Sequence, residues 1–406
     1  MHILILPSWY PRSSHDIGGS FFREQAIALT HYGDQKVGVI YPELRSIKNF
    51  LLWIRKGRKI TITDDEGVLT YRSFSLYTMP WHLSSVRRLF FMQGLLLFEQ
   101  YVKDQGLPDI VHVHSALNGG LLAREIKRTH GIPFLLTEHS SAYGFGGIGE
   151  TEKRLATLVV RSADGLIAVS RKLAMDLDSC FGPGMFKWKY IPNMVNQIFL
   201  DYQCQVREHD RDNFTFVSVA LLTPVKRIDL LLRAFALAFR GQRKVSLNII
   251  GDGEQLGMLR ALSVELGVAA NVRFLGRLSR NDVREAVANS DGLVLTSKYE
   301  TFGVVLVEAL ALGKPVVATR CGGPESIVRE GLDGFLVPVG DETALAHGLK
   351  RLRYKKADFV PASIRQECAK RFGPIAVVNQ ILAEYSTVLG YRAPLAAPCG
   401  QSDLAP

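Results

Sequence analysis

The chain has 406 residues, of which 47% are hydrophobic and 22% are charged, and its formal net charge is +10 at pH 7. This length accommodates two domains with separate cores, and this composition is typical of soluble globular proteins. No apolar run approaches the roughly 18 residues of a membrane-spanning helix, and the short apolar start predicts a first buried strand rather than a signal peptide.

The first half of the chain alternates strand-like and helix-like segments. Strands are predicted at residues 2–7, 36–41, 110–114, 134–138 and 165–170, and helices at 21–31 and 119–129. The strands are nearly continuous Ile, Leu and Val, as strands buried on both faces of a parallel sheet are. The pattern predicts a doubly wound α/β domain.

The second half repeats this plan. Strands are predicted at 215–220, 246–251, 272–275, 292–297, 315–319 and 335–338, and helices at 228–239, 257–266, 280–289 and 304–312. A polar segment at 198–213 separates the halves, and a last helix follows Pro374. We therefore predict domains at 1–197 and 198–372, a separate helix at 373–390 and a disordered tail at 391–406.

The segment around residue 300 has the most informative pattern. Glu300 and Glu308 are eight residues apart, and Gly303 lies between them after the strand-like segment 292–297. A helix that begins after Gly303 offers unpaired N–H groups and partial positive charge to a phosphate or diphosphate, and the Glu308 side chain leans back toward the same ligand. Carboxylates at such a site suit the vicinal hydroxyls of a ribose or sugar. The alternative is that both are ordinary charged helix residues.

Three further positions at predicted strand ends suit this chemistry. Lys226 precedes a helix, where a cation can meet a diphosphate. Gly18 and Gly19 lack side chains, so their backbone can approach a phosphate closely. His139 ends a buried strand, at the edge where parallel sheets bind ligands. The alternatives are that Lys226 is merely solvated, that Gly18 and Gly19 form an ordinary flexible turn, and that His139 has a structural role.

The segment 300–308 resembles the E-x7-E signature of the retaining glycosyltransferases of the GT-B fold, specifically glycosyltransferase family 4. The resemblance extends over roughly residues 1–385 and is of the bacterial polysaccharide-biosynthesis type. It is carried by 7–11 (PSWYP), 18–23 (GGSFFR), 109–114 (DIVHVH), 137–139 (TEH), 168–170 (AVS), 191–193 (IPN), 219–235, 250–253 (IGDG), 274–276 (FLG) and 322–325 (GGPE). Two positions depart from the family: Leu221 replaces its usual Arg, and Arg227 replaces a Gly. Either Arg227 supplies the missing charge or the site binds phosphate more weakly.

The resemblance implies two Rossmann-like domains that face each other across a cleft, with the last helix crossing back to the first domain. The first domain is expected to bind the acceptor and the second the donor. The implied activity transfers a hexosyl group from a UDP- or GDP-sugar to a lipid-linked or polysaccharide acceptor, with retention of configuration. The resemblance assigns catalytic roles to His139 and Glu300. Donor binding is assigned to Gly18, Gly19, Lys226, Arg227, Gly253, Arg277, Leu278, Phe302, Gly303, Val304, Val305 and Glu308.

No metal ion or other cofactor is expected. The triplet 210–212 formally matches a metal-binding D-x-D, but it lies in the polar segment and not after a buried strand. The five cysteines are unpatterned, which predicts free thiols in a reducing, cytoplasmic setting. Cys321 is interpreted as a small buried hydrophobe rather than a nucleophile.

The positive charge is concentrated between Arg45 and Lys103, where ten Lys and Arg stand against four Asp and Glu. No nucleic-acid module accompanies it, so nucleic acid is not an expected partner. Apolar and aromatic residues beside cations, as at 50–59, favour an anionic membrane surface, which predicts a peripheral protein of the inner face of the cytoplasmic membrane. The alternative is a solvated basic face.

Two other functions are compatible with the same architecture. A sugar-nucleotide epimerase shares the fold, but it does not explain the pair Glu300 and Glu308 together with Lys226. A transferase-like binding protein without turnover is the other alternative, because Leu221 replaces the Arg of the family.

Overall fold

A computed structural model of the chain describes residues 1–11, 18–49, 60–77, 83–203 and 213–390. Three sequence predictions therefore lie outside the described residues: the basic stretch at 50–59, the D-x-D triplet at 210–212 and the disordered tail at 391–406. Of the segment 198–213, residues 204–212 lie outside them as well.

Runs of Ile, Leu and Val form the central strands of a first sheet, which has eight strands within the described residues. In chain order they are β1 (His2–Pro7), β2 (Lys36–Ser46), β3 (Thr61–Asp65), β4 (Val68–Tyr77), β5 (Ile110–His114), β6 (Phe134–Glu138), β7 (Gly165–Ala168) and β8 (Lys189–Tyr190). Their spatial order is β3-β4-β2-β1-β5-β6-β7-β8. All neighbours are parallel except β3 and β4, an antiparallel hairpin at the edge of the sheet.

The second sheet has six strands in the described part of the chain. They are β9 (Phe214–Val219), β10 (Val245–Ile250), β11 (Val272–Gly276), β12 (Gly292–Leu295), β13 (Val316–Thr319) and β14 (Gly334–Val337). Their order is β11-β10-β9-β12-β13-β14, and every pair is parallel. Such a sheet must be covered on both faces, and the helices between the strands do this.

The helices alternate with the strands, as the predicted βαβ pattern requires. Those of the first half are α1 (Ser20–His31), α2 (Leu83–Gln105), α3 (Gly119–His130), α4 (Glu150–Ser162), α5 (Arg171–Phe181) and α6 (Gln197–Leu200). Those of the second half are α7 (Ile228–Phe239), α8 (Leu256–Glu265), α9 (Arg280–Ala288), α10 (Val304–Ala311), α11 (Glu342–Tyr354), α12 (Pro361–Phe372) and α13 (Pro374–Val388). No described helix is both long and apolar enough to cross a lipid bilayer.

Both sheets change their winding direction at an internal strand. In the first sheet β1 pairs with β2 on one side and with β5 on the other, and in the second sheet β9 lies between β10 and β12. The loops that leave two such neighbouring strands diverge to opposite faces, so a crevice opens at their carboxyl ends. The fold therefore provides one natural ligand position on each sheet.

The last helix, α13, crosses back to the first domain. Val377, Val378, Ile381 and Tyr385 are buried in one apolar cluster with residues of β1, β2 and α1. The hydroxyl of Tyr385, which is fully buried, lies 2.6 Å from Nδ1 of His112 on β5. The predicted fold class, two Rossmann-like α/β domains with a helix that returns to the first, is confirmed.

Seven of the named elements of the first half were not predicted: β3, β4, β8, α2, α4, α5 and α6. The hairpin β3–β4 and the 23-residue helix α2 fall in the stretch that was interpreted as a basic surface, and β2 extends five residues beyond its predicted end. The hairpin turns at Glu66 and Gly67, which both have positive φ. In the second half, α11 and α12 were also missed.

Tyr385→Phe tests the attachment of α13. The substitution keeps the buried ring and leaves Nδ1 of His112 without its partner, so we expect the free energy of unfolding to fall by about 1–3 kcal/mol. Urea unfolding followed by circular dichroism measures this change. Tyr354→Phe is the control, because this tyrosine is 72% exposed. Equal unfolding midpoints for Tyr385→Phe and the wild-type protein would contradict the structural role of this hydrogen bond.

Candidate active site

A cleft of about 370 Å³ lies between the two domains. Trp9, Phe21 and His139 line it from the first domain. From the second domain it is lined by the end of β9 and by residues that follow β12, among them Ser297 and Glu300. These are the carboxyl ends of the parallel strands, where doubly wound sheets bind their ligands.

The N-terminus of α10 points its unpaired backbone groups into this cleft. Gly303 precedes the helix with φ +101°, a conformation that favours glycine, and no side chain caps the helix. Side chains cap some described helices, as Ser170 does for α5 and Asp341 for α11, and leave others uncapped, among them α1 and α7. The first residues of α10, Val304 and Val305, line the cleft. Their N–H groups and the partial positive charge of the helix start are available to an anionic ligand.

Lys226 and Glu300 form an ion pair at the edge of the same cleft. The Nζ of Lys226 lies 2.5 Å from Oε1 of Glu300, and the Ser297 hydroxyl donates to the same oxygen at 2.7 Å. Both side chains are largely but not fully buried. The Thr296 hydroxyl donates to the Lys226 carbonyl at 2.9 Å and so ties the lysine loop to the end of β12. A cation and a carboxylate are thereby held next to the uncapped start of α10.

Glu308 has a different environment from Glu300. Its carboxylate is buried on α10 and accepts a hydrogen bond from Nη2 of Arg280 at 3.1 Å. Arg280, which begins α9, also donates to Glu24 and Ser20 of α1, so this cluster joins the two domains. Burial raises the pKa of Glu308 to about 7, and the Arg280 charge opposes this shift. Burial likewise raises the pKa of Glu24 against the effect of Arg280.

His139 lies at the first-domain side of the cleft, beside a second buried histidine. Its Nε2 is 3.0 Å from Nδ1 of His114, and the rings of Phe21 and Phe22 are centred 5.1 and 5.0 Å away. Burial lowers the pKa of His139 to about 3, and the neighbouring His112 adds to this shift. Burial also lowers the pKa of His114 well below its usual range. Both imidazoles are therefore neutral at physiological pH.

The contact between the two histidines couples the positions of their hydrogens. Only one of the facing nitrogens can carry the hydrogen, and Nε2 of His114 and Nδ1 of His139 have no partner among the described residues. Either arrangement therefore leaves one N–H without an acceptor, at Nε2 of His114 or at Nδ1 of His139. His139 lines the cleft and His114 does not, so a ligand can accept a hydrogen bond from His139. We therefore assign the hydrogen to Nδ1 of His114, which leaves His139 with its own hydrogen on Nδ1.

Seven of the predicted site residues line the cleft together. They are His139, Lys226, Glu300, Phe302, Gly303, Val304 and Val305.

The other seven predicted site residues do not line the cleft. Gly19 begins α1 with φ +79°, and a Cβ there would be 3.0 Å from the Trp9 ring; Gly18 precedes it. Gly253 follows β10 and packs on the Leu222 backbone. Arg277 is exposed and Leu278 half-buried after β11, and Glu308 faces Arg280. The seventh is Arg227.

Arg227 does not reach the cleft. It has φ +50°, and its Nε donates to Asp229 at 3.0 Å. The depression that it lines belongs to the outer surface and includes Arg233 and Gln255. Leu221, which stands where the family has Arg, is 69% exposed. In this structure the guanidinium of Arg227 is therefore engaged by its own helix and is separate from Lys226.

Sequence reasoning did not assign roles to several residues of the site. Trp9 and Phe21 could have been found, because they flank the glycine pair between β1 and α1. Arg280 gave no signal in the sequence, since its partner Glu24 is 256 residues away. Within the described ranges, no three His, Cys, Asp or Glu side chains come together as metal ligands would. Cys321 is buried, and burial raises its pKa to about 12, as suits a hydrophobe.

Solved structures share this architecture. HepE of Anabaena in complex with UDP matches 95% of this chain and 100% of its own length, with a TM-score of 0.70 and 21% identity. Sucrose-phosphate synthase of Thermosynechococcus elongatus matches 96% of this chain and 100% of its own, with a TM-score of 0.76 and 19% identity. At these identities the likeness shows the fold alone.

Curated relatives add similarity in sequence. D-inositol 3-phosphate glycosyltransferase 2 of Catenulispora acidiphila is 30% identical over 351 residues, which are 78% of this chain and 78% of the relative. N-acetyl-alpha-D-glucosaminyl L-malate synthase of Bacillus anthracis is 28% identical over 249 residues, and this match spans 59% of this chain and 63% of the relative.

Two family profiles match consecutive parts of the chain. The profile of Glycosyltransferase Family 4 matches residues 61–197, and that of Glycosyl transferases group 1 matches residues 203–359. Together with the relative at 30% identity, they cover both domains and the cleft between them. The chain therefore belongs to glycosyltransferase family 4 and is a glycosyltransferase of the GT-B fold.

Proposed function

We propose that this enzyme transfers a hexosyl group from a UDP- or GDP-sugar to a hydroxyl of a lipid-linked or polysaccharide acceptor, with retention of configuration and without a metal ion. One observation carries the proposal: Lys226, Glu300 and the uncapped start of α10 meet in the interdomain cleft. A cation, a helix N-terminus and a carboxylate suit the diphosphate and the hydroxyls of a nucleotide sugar. Among the solved structures of similar fold, HepE contains UDP and, in one case, UDP-glucose.

The departing diphosphate needs positive charge as the bond to the sugar breaks. Lys226 and the N–H groups at Gly303 to Val305 supply it, and the backbone of Gly18 and Gly19 adds donors from the first domain. When the diphosphate takes the Lys226 ammonium, Glu300 is released to accept hydrogen bonds from sugar hydroxyls.

His139 orients the sugar rather than moving a proton. A histidine with a pKa of about 3 is not protonated at neutral pH, and Nδ1–H can donate one hydrogen bond to a sugar oxygen. In the proposed step the anomeric carbon loses its bond to the phosphate oxygen and gains one to the acceptor oxygen, on the same face. The proton of the acceptor hydroxyl passes to the departing phosphate oxygen, so the enzyme needs no separate base there.

Glu308 is proposed to accept the ribose hydroxyls of the nucleotide. In the structure its carboxylate is held by Arg280, which links it to Glu24 of the first domain. The nucleobase is proposed to lie near Arg277 and Leu278, after β11. These residues do not decide between uridine and guanosine.

A location at the inner face of the cytoplasmic membrane is part of the proposal. Arg88, Met92 and Leu96 are exposed and follow one another at every fourth residue of α2, so they share one helix face. Two apolar side chains beside a cation suit an anionic lipid surface. Such a surface would bring a lipid-linked acceptor to the first domain.

The central test measures nucleoside diphosphate released from UDP- and GDP-sugars, with and without a chelator. We expect release that the chelator does not change. Lys226→Ala should lower kcat/KM for the donor by roughly 10- to 100-fold, because a charge-assisted hydrogen bond to the leaving group is lost. Lys298→Ala, an exposed lysine of the same loop region, is the control. An epimerised donor would indicate the epimerase, and binding without release would indicate the inactive binding protein.

The assigned tautomer of His139 is testable by nitrogen NMR on protein with labelled histidine. We expect a neutral ring with hydrogen on Nδ1, which does not titrate between pH 5 and 8 because its pKa is about 3. The His139→Asn spectrum identifies the resonance. A ring with hydrogen on Nε2, or a titration near the usual pKa of about 6.5, would contradict the assignment.

The same residue has a kinetic test. His139→Ala should lower kcat by roughly 100-fold and change the donor KM little, because it removes a hydrogen bond that matters most in the transition state. His31→Ala, a surface histidine at the end of α1, is the control. A large rise in KM at unchanged kcat would contradict the proposed role.

The raised pKa of Glu308 predicts a pH dependence of donor binding. The ionised carboxylate accepts hydrogen bonds from ribose hydroxyls more strongly than the neutral acid does. The affinity for an intact UDP- or GDP-sugar should therefore fall as the pH drops below about 7. The dissociation constant should rise by at most about tenfold per pH unit. Titration calorimetry from pH 5 to 8.5 measures it.

Two glutamine variants serve as comparisons in this titration. Glu308→Gln should bind weakly at every pH, and Glu265→Gln, an exposed residue of α8, should keep the wild-type profile. A wild-type affinity that is constant across this range would exclude Glu308 as the ribose acceptor.

A further inference from the structure

A second cavity lies in the first domain, directly beside the interdomain cleft. This side pocket has a volume of about 250 Å³, and its lining includes Ser8, Trp9, Ser115, Asn118, Ser140 and Tyr143. Trp9 lines both cavities, so the side pocket adjoins the proposed donor site at this residue. The function proposed above makes no use of this pocket.

The topology of the first sheet places the side pocket where a ligand is expected. Ser8 and Trp9 follow β1, and Ser115 to Asn118 follow β5. β1 and β5 are the neighbours at which the winding of this sheet reverses. The crevice at such a point is the usual ligand position of a doubly wound sheet.

A buried polar side chain in the pocket lacks a partner. Ser115 is 5% exposed, and its hydroxyl forms no hydrogen bond with any described residue. A buried hydroxyl without a partner costs free energy, so it indicates a group that a ligand satisfies. Asn118 precedes α3 but does not cap it, although Asn is a favoured cap. Both residues have positive φ, which the surrounding structure must hold in place.

Glu138 fixes the shape of the pocket. It is 1% exposed, and its two oxygens accept hydrogen bonds from the backbone N–H groups of Ala116, His139 and Ser140 at 2.8–2.9 Å. The loops after β5 and β6 are thereby joined by one carboxylate. His139 lies on the loop after β6, so Glu138 also fixes the position of the pocket relative to the proposed sugar site.

The charges of the pocket determine what it can bind. Its described lining contains two carboxylates, Glu138 and Glu152, and no Lys or Arg. The nearby cation Arg87 is paired with Glu152 at 2.6 Å. A carboxylate or phosphate ligand would meet negative charge without a compensating cation, which is costly in a buried site. Hydroxyl and amide groups beside aromatic rings suit an uncharged polyol instead.

We propose that the side pocket is the acceptor subsite and binds an uncharged sugar residue, whose hydroxyls Ser115 and Asn118 hold. This inference rests on the proposed transferase function. It assigns the acceptor a neutral hydroxyl-bearing group at the point of attack. Trp9 then borders both the acceptor and the donor position.

The test measures nucleoside diphosphate release at saturating donor in the presence of defined acceptors. The neutral probes are the octyl glycosides of glucose, galactose, mannose and N-acetylglucosamine, and the anionic probes are D-inositol 3-phosphate and L-malate. At least one neutral probe should raise the release rate above the rate without acceptor, and its glycosylated product should be seen by mass spectrometry. The anionic probes should have no effect.

Two variants connect the response to the pocket. Ser115→Ala and Asn118→Asp should each raise the acceptor KM about tenfold, the effect of one hydrogen bond, with the donor dissociation constant unchanged. Asp is chosen because it tolerates the positive φ of Asn118. Ser162→Ala, at a half-buried serine of α4 whose hydroxyl donates to the Leu158 carbonyl, is the matched control and should keep the wild-type KM.

Each other outcome overturns the proposal. Stimulation by an anionic probe alone would exclude an uncharged acceptor, and so would the absence of stimulation by every neutral probe. Stimulation that both pocket variants retain unchanged would place the acceptor elsewhere. If no donor releases any nucleotide at all, the transferase function fails as well, so the two failures are distinguishable.

Discussion

The uncapped start of α10 is the constraint on which the site depends. It places unpaired N–H groups and partial positive charge in the interdomain cleft, next to the Lys226 ammonium. Only Gly303, with φ +101°, allows the chain to turn into the helix there without a capping side chain. In the structure Glu300 balances the lysine. In the proposed complex the diphosphate takes over Lys226, and sugar hydroxyls become the new partners of Glu300.

The two domains contribute different chemistry to this point. The second domain provides charge, and the first provides a neutral, buried group in His139, whose Nε2 faces Nδ1 of His114. Arg280 connects Glu308 of the second domain with Glu24 of the first domain. In the proposed complex, this guanidinium couples the binding of the nucleotide to the arrangement of the domains. The side pocket adjoins the cleft at Trp9.

Most of the fold could be predicted because buried parallel strands are nearly continuous apolar runs. The predicted bounds of the central strands of both sheets agree with the structure almost residue by residue. The hairpin β3–β4 was missed because it lies at the sheet edge, where charged residues such as Asp64 and Asp65 obscure the strand pattern. Within the site, Lys226, Gly303 and Glu300 could be predicted because they are close to strand ends in the sequence. The partners of Glu308 and His139 could not, since both contacts join residues that are far apart along the chain.

A crystal structure of the enzyme with an intact UDP- or GDP-sugar tests the central claim most directly. The account predicts that diphosphate oxygens lie within hydrogen-bond distance of Lys226 Nζ and of the backbone N–H groups at the start of α10. The sugar should then contact Glu300 and His139. A nucleotide sugar bound elsewhere, or bound in the cleft with Lys226 still paired to Glu300 and the start of α10 unoccupied, would contradict it.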